Sequence, residues 1–275
     1  MASPYRLIAL DLDGTLLTGK RTIRDDSISA IKRVRERGIE VVLVTGRHHT
    51  AVYPYHRQLG LDTPAICCNG TYVYDFAARR VLTSDPLDKE TSRTLVDWTE
   101  RHGIHMLLYS DDVIIYKEIN ENLRSFLAWS DTLPDNVKPY VRPVDSTFHE
   151  EVEKAGQIWK FLVTGEDGPA MAAHLDEIAD TLPIDYEWSW ENRVDINPRG
   201  NSKGRRLEEI VRQKGLSPSE VLAIGDQMND ITMLRFAGMG IAMGNAREEA
   251  REIADYVTAG NEEGGVAAAL ERFVL

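Results

Sequence analysis

Residues 7–17 read Leu7-Ile8-Ala9-Leu10-Asp11-Leu12-Asp13-Gly14-Thr15-Leu16-Leu17, and this stretch decides the fold. Leu7–Leu10 is an apolar run of the length of a buried strand. Two carboxylates follow at once, then Gly14 breaks the run and Thr15 follows it. Residues two apart on an extended chain point the same way. Asp11 and Asp13 are therefore expected on one side, just past the strand's end. Two carboxylates that close repel, unless a proton or a cation relieves them. A divalent metal is one solution and a shared catalytic proton is another. A strand followed by an Asp-Gly turn, with Asp bonded to local backbone, would give the same letters.

The chain after this strand alternates helix and strand. Residues 25–37 place Ile28, Ile31 and Val34 on one helical face, and Gly38 closes the helix. Residues 39–44 are a continuous apolar, β-branched run, as a strand buried on both faces of a parallel sheet requires. That run ends in Thr45-Gly46-Arg47. A second helix is predicted through Leu59, ended by Gly60, and a third strand over 65–68 ends at Asn69-Gly70. Residues 71–74 and 80–82 read as a short hairpin. In open parallel α/β sheets, ligands bind beyond the carboxyl ends of the strands. Asp11, Asp13, Thr45 and Asn69 are expected to converge there.

The C-terminal flank has the same character. Asn197-Pro198-Arg199-Gly200 is a turn, and Ser202 caps a helix over 203–214. Lys203 stands in that helix's first turn, where a cation opposes the macrodipole. It is either a solvated lysine or one aimed at a phosphate or at Asp11. Residues 221–224 form a buried strand followed by Gly225-Asp226, with Asn229 and Asp230 on the next turn. These oxygens suit magnesium, which takes few protein carboxylates and several waters. Asn229 or Asp230 would also serve simply as a cap for the helix Ile231–Phe236. A last strand over 239–243 and helices over 246–254 and 266–273 complete the chain.

The middle region differs in composition. Residues 85–197 hold 24 acidic and 10 basic residues and all five tryptophans, whereas the rest of the chain is nearly balanced. Such a shift indicates a separate domain inserted between two flanks, and 275 residues suffice for two domains. Helices over 88–102 and 169–182 are each followed by two strands, at 104–109 and 113–117 and at 184–190 and 193–197. The first pair turns at Ser110-Asp111-Asp112 and the second at Glu191-Asn192. A further strand over 157–164 lies between. The pattern gives a small α+β domain with one sheet faced by helices, with 131–156 unplaced.

Several function classes are excluded. A net charge of -12 argues against nucleic acid and anionic membrane surfaces. No apolar run approaches a membrane span, and Met1-Ala2-Ser3-Pro4 lacks the basic start of a secretory leader. Cys67 and Cys68 read as small core residues of a cytoplasmic protein. His102 and His105 are separated by Gly103, which removes the helical spacing a metal pair needs. His48-His49 follows the Thr45 motif and reads as a solvated helix start beside the site.

Four pieces in order and spacing, Asp11-Leu-Asp13-Gly-Thr15, Thr45-Gly-Arg47, Lys203 and Gly225-Asp226-Gln-Met-Asn229-Asp230, resemble the haloacid dehalogenase superfamily of phosphatases. The likeness is strongest to the Cof-type branch, with its large type IIB cap. Ile66-Cys-Cys-Asn69-Gly70, Met239-Gly-Ile-Ala-Met-Gly-Asn-Ala246 and Gly265-Val266-Ala267 resemble that branch too. Gln227 and Gly264 depart from its usual letters. The resemblance implies an α/β fold: a Rossmann-like, doubly wound parallel-sheet core over 1–84 and 198–275, and an inserted α+β cap over 85–197.

The resemblance also implies a chemistry. Asp11 would be the nucleophile and Asp13 the general acid and base. Thr45 and Lys203 would hold the phosphoryl group, and Gly14, Gly46, Arg47, Asn69 and Asn229 would line the substrate. Mg2+ would be held by Asp11, Asp13 (through its backbone carbonyl), Asp226 and Asp230. The expected substrate is a small phosphorylated metabolite with a neutral remainder, such as a sugar phosphate, taken by a monomer or homodimer. Transfer of the phosphate to a sugar hydroxyl and non-catalytic sensing of a phosphometabolite are the competing readings.

Overall fold

The computed structural model describes residues 3–165, 168–190 and 192–275. Glu191, expected in a turn, and the N-terminal Met1 and Ala2 lie outside the described residues. The first flank runs β1 (Leu7–Leu10), α1 (Asp25–Glu36), β2 (Glu40–Leu43), α2 (His49–Gln58), β3 (Ala65–Cys67), β4 (Tyr72–Asp75) and β5 (Arg80–Ser84). The middle runs α3 (Lys89–Arg101), β6 (His105–Ser110), β7 (Val113–Tyr116), α4 (Glu121–Asp131), β8 (Val141–Pro143) and α5 (Phe148–Lys154). It continues with β9 (Ile158–Thr164), α6 (Gly168–Thr181), β10 (Ile184–Trp190) and β11 (Arg193–Pro198). The last flank runs α7 (Lys203–Gln213), β12 (Val221–Gly225), α8 (Ile231–Phe236), β13 (Met239–Ala242), α9 (Glu248–Ile253), β14 (Tyr256–Val257) and α10 (Gly265–Phe273).

The chain divides into two compact units. One comprises Met1–Thr45, Tyr55–Leu82 and Ser202–Leu275, and the other Gly46–Pro54 and Thr83–Asn201. Residues 46–54 thus group with the middle of the chain rather than with the flank that precedes them in sequence.

The first unit is α/β and doubly wound. Its main sheet has the order β14-β13-β12-β1-β2, and every pair in it is parallel. All four residues of β1 are fully buried, as a central strand covered on both faces must be. Leu7 and Ala9 pack with Leu207, Ile210 and Val211 of α7 and Met233 and Leu234 of α8. Ile8 and Leu10 alternate to the opposite face, while α1 and α10 pack against each other. Cys67 and Cys68 are buried free thiols, as core residues should be.

The second unit is one sheet of order β10-β11-β9-β6-β7-β8. All its pairs are antiparallel except β7 with β8. One face is packed by Leu95, Val96 and Trp98 of α3, Phe148 and Val152 of α5, and Met171 and Leu175 of α6. The unplaced stretch 131–156 contains β8 and α5, and α4 precedes it. Their signals are weak for physical reasons. β8 is three residues at the sheet's edge and ends in proline. Helix α5 has seven residues, and α4 buries only Leu123 and Ser130 among its eleven.

Candidate active site

Sheet register brings the site together. Leu10 is level with Ile224 of β12 and with Leu43 of β2. Three strands on adjacent tracks therefore end together, and the next residues of each chain segment are neighbours. The Asp11 amide donates to the Ile224 carbonyl (3.1 Å), and the Val44 amide donates to that of Leu10 (2.8 Å). Strand β1 lies between β2 on one side and β12 on the other, so Asp11 sits where the strand order switches direction, the usual ligand position of such sheets.

Lys203 is the first residue of α7, and the Ser202 Oγ caps that helix by accepting from the Arg205 amide. Its Nζ donates to Asp11 Oδ1 at 2.7 Å and to Asp230 Oδ1 at 2.6 Å. Lys203 is 1 % exposed, Asp11 4 % and Asp230 0 %, so the solvated reading of this lysine is overturned. A cation that opposes the helix dipole is held there by two buried carboxylates. Asp230 Oδ2 in turn accepts from the amides of Asp226 and Gln227, both at 2.9 Å. Asp226 Oδ1 accepts from Thr15 Oγ1 (2.8 Å), and its Oδ2 from Gln227 Nε2 (3.1 Å). Thr15 and Gln227 thus fix Asp226, roles that the sequence reading did not give them. Gly14 is required here. Its φ is +82°, and a Cβ on it would lie 2.3 Å from Asp226 Oδ2.

One oxygen from each of Asp11, Asp226 and Asp230 lies within 4.8 Å of the others, and all three residues are buried. Three carboxylates face one ammonium. Burial raises the Asp11 pKa well above the usual range, and Asp230 and Asp226 add to the shift that Lys203 opposes. Burial, then the Asp230 charge, pushes Asp226 up to about 7. Burial opposes the charge on Lys203, but Asp11 and Asp230 outweigh it and its pKa stands above the ordinary value. A cluster this short of positive charge fits a divalent cation, and an all-oxygen donor set suits magnesium. Asp230 engages both its oxygens, on Lys203 and on the 226–227 backbone, and so ties the lysine to the end of β12. Asp13 is exposed, because the chain turns after Leu12 and the two-residue alternation of the strand does not continue to it.

Thr45, Asn69 and Asn229 lie in the same unit and are buried. The Thr45 amide donates to the Ile66 carbonyl (2.9 Å), and the Asn69 amide donates to the Thr45 carbonyl (3.1 Å). Asn229 Nδ2 donates to Asn69 Oδ1 at 3.1 Å, which leaves Asn229 Oδ1 buried without a hydrogen-bond partner. Asn245 Nδ2 donates to the Gly14 carbonyl at 2.9 Å, a contact that no local pattern announces.

Gly46 and Arg47 belong to the second unit. There the Gly46 carbonyl accepts from Lys160 Nζ at 2.7 Å, and the Arg47 guanidinium lies 5.2 Å from the centre of the Trp129 ring. Lys160 is also paired with Asp195 at 2.7 Å, both residues being buried. The expected solvated helix start at His48-His49 is not found. His48 is fully buried, with Nδ1 on Thr50 Oγ1 and Nε2 on the Asp111 carbonyl, both at 2.9 Å. His49 is buried against Asp112. The two rings pack on each other and His48 packs on Tyr109, so tertiary packing overrides the polar local sequence. His105 bonds to the Glu118 carbonyl and Thr164.

Comparison with known proteins gives four findings. Residues 8–270 match the family model of the haloacid dehalogenase-like hydrolases. The chain is 42 % identical to the pyridoxal phosphate phosphatase YbhA of Escherichia coli, over 95 % of this chain and 96 % of that protein. It is 32 % identical to the 5-amino-6-(5-phospho-D-ribitylamino)uracil phosphatase YitU of Bacillus subtilis, over 98 % of this chain and 97 % of that one. Among solved structures, a haloacid dehalogenase-like hydrolase from B. subtilis superposes with a TM-score of 0.85 at 28 % identity, covering 97 % of this chain and 99 % of that chain.

Proposed function

The chain belongs to the haloacid dehalogenase-like hydrolases, in their Cof-type branch, and is a phosphatase; from this we propose a magnesium-dependent hydrolysis of small phosphomonoesters through an aspartyl-phosphate on Asp11. The observation that carries the reading is the buried set of Asp11, Asp226 and Asp230 joined by Lys203. Residues 1–84 and 198–275 act as the catalytic core, and 85–197 as the cap that selects the substrate.

An Asp11 carboxylate oxygen attacks phosphorus, and the ester P–O bond opposite it breaks. Lys203 favours the ionised form of Asp11, against its burial, and fixes the carboxylate for this step. Asp13 gives its proton to the departing alkoxide, then takes one from water as that water attacks the acyl phosphate. Its exposure suits a group that must meet both the leaving group and solvent. Inorganic phosphate departs and Asp11 is restored. Thr45 and Lys203 hold the phosphoryl oxygens. The carboxylates of Asp11 and Asp226 and the Asp13 carbonyl, with Asp230 and Asn229 in support, would hold Mg2+, which when bound would neutralise the phosphoryl charge that otherwise repels Asp11.

For the substrate we place pyridoxal 5′-phosphate first, on the similarity to the Escherichia coli enzyme over nearly the whole chain. Sugar and ribitylamino phosphates follow. The acidity of 85–197 fits all three, since each carries one phosphate on a remainder without further anionic groups of that strength.

The test is release of phosphate from 4-nitrophenyl phosphate and from this panel, with and without Mg2+, for wild type and Asp11→Asn. Wild type should require the metal, and the variant should lose at least roughly a thousandfold while keeping its melting temperature. An Asp11→Asn protein with full activity would remove Asp11 from the mechanism.

A further inference from the structure

The segment Cys68–Gly70 has three consecutive residues in the left-handed region, with φ of +47° at Cys68, +55° at Asn69 and +92° at Gly70. Two of them carry a Cβ, and such residues adopt this region rarely and singly. All three are buried. Strain of this kind persists only where the surroundings impose it, and here three contacts do so. The Asn69 amide holds the Thr45 carbonyl at 3.1 Å. The Asn69 side chain holds Asn229 through its Oδ1. Gly70 lies so close to the start of α7 that a Cβ on it would be 2.2 Å from the Ser202 carbonyl oxygen and 3.3 Å from the Lys203 amide nitrogen.

The far side of the turn is clamped as well. Arg206, one turn into α7 and 2 % exposed, donates from Nε to the Gly70 carbonyl at 2.8 Å. Its Nη1 is held by Glu209 at 2.7 Å. The same helix therefore presents Lys203 to the carboxylates and Arg206 to the turn. One three-residue turn touches the segments of Thr45, Lys203 and Asn229, which are far apart in sequence.

We propose that the Cys68–Asn69–Gly70 turn is a positioning element that sets Thr45, Lys203 and Asn229 in one arrangement, with Asn69 acting through Asn229 rather than on the substrate. This rests on the phosphatase reading above. Asn69 is 1 % exposed, and its carboxamide oxygen is already occupied by Asn229. By accepting from Nδ2, it fixes the Asn229 carboxamide so that the unpartnered Oδ1 is the atom left to the site. A carboxamide oxygen is an acceptor, fitted to a hydrated cation or an ammonium and not to a phosphoryl oxygen.

The test is a double-mutant cycle on the full chain with 4-nitrophenyl phosphate and Mg2+, using Asn69→Gly, Asn229→Ala and the pair. Glycine accepts the left-handed conformation without strain but offers nothing to Asn229. Asn69→Gly should lower kcat/KM by roughly tenfold to a hundredfold, the scale of a displaced site group, without lowering the melting temperature. In the Asn229→Ala background the same change should have no further effect. Full multiplicative losses would show that Asn69 does not act through Asn229 and overturn the proposal, as would an Asn69→Gly enzyme at the wild-type rate. If wild type hydrolyses nothing, the phosphatase reading fails. The same cycle is then read in Mg2+-dependent binding of inorganic phosphate by calorimetry, where coupling between the two residues supports the turn and independence overturns it. Wild type that binds no phosphate overturns both.

Discussion

Lys203 Nζ and Asp11 Oδ1 are 2.7 Å apart although their residues are 192 positions apart in the chain, and both side chains are buried. Removing one partner of a buried pair leaves an uncompensated charge, a loss of about 3–5 kcal/mol. Lys203→Met should therefore lower the unfolding free energy of the metal-free protein by that order. Saturating Mg2+ should restore part of it, because the cation supplies charge to the same carboxylates. Urea unfolding with EDTA and with Mg2+ measures both. A metal-free Lys203→Met as stable as wild type would mean that Asp11 and Asp230 do not depend on this lysine.

Gly14→Ala tests the proposed metal site from a different direction. The new Cβ would meet Asp226 Oδ2 at 2.3 Å, on a residue already at φ +82°. Asp226 must move away from Thr15 and Gln227. The Mg2+ concentration for half-maximal activity should rise roughly tenfold or more, the scale seen when support of a metal ligand is disturbed. An unchanged metal requirement would separate Asp226 from metal binding.

His48 predicts an acid limb of stability. Burial pulls its pKa well below the ordinary value, with His49 and Lys160 in the same direction and the Asp111 carbonyl partly opposing. The ring is neutral in the folded protein, while the unfolded chain takes up a proton below about pH 6.5. The stability that neutral His48 contributes is therefore complete above pH 6.5. It is lost as the pH falls from there toward the depressed folded value, at up to about 1.4 kcal/mol per pH unit. His48→Gln should flatten the fall of melting temperature between pH 6.5 and 5. An identical slope in wild type and variant would assign the acid limb to other groups.

In the second unit, Arg142 and Glu151 form a two-point pair, Nη1 to Oε1 at 2.9 Å and Nη2 to Oε2 at 2.7 Å. Glu151 also accepts from the Asp145 amide at 3.0 Å, and this arrangement lowers its pKa, chiefly through Arg142. The Glu151 side chain is 2 % exposed and that of Arg142 24 %. Arg142→Met should cost about 2–4 kcal/mol, below the fully buried figure because solvent reaches the arginine. Since the folded pKa is the lower one, the pair's contribution is present at neutral pH and lost on acidification through the carboxylate range. Chemical unfolding at pH 7 and pH 3.5 should show the wild-type advantage at the first and little at the second; a pH-independent difference would exclude the ion pair as its source.

Much of the site was legible because its residues stand at breaks in local pattern. Asp11 follows an apolar run, Thr45 ends a β-branched one, and Asp226 follows the Val221–Gly225 strand. Strands and helices were bounded to within a few residues wherever periodicity was strong, as in α1 and β12. In 131–156 it was not, since a three-residue edge strand and a seven-residue helix leave little pattern. His48 and His49 read as polar surface because their burial comes from Tyr109, Asp111 and Asp112, residues some sixty positions away.

The sequence alone determined an alternating α/β chain with an acidic insertion, and the strand ends at which its carboxylates stand. Those features arise from side chains within a few positions of each other. The tertiary structure alone decided that Lys203 is a buried partner and not a solvated cation, that Asp230 holds it, and that Asn69 faces Asn229. It also decided that residues 46–54 group with the inserted unit. The physical reason is register: which strand ends are level depends on the order β12-β1-β2, and that order is fixed by how two faces of one sheet are covered, not by any residue's neighbours in the chain.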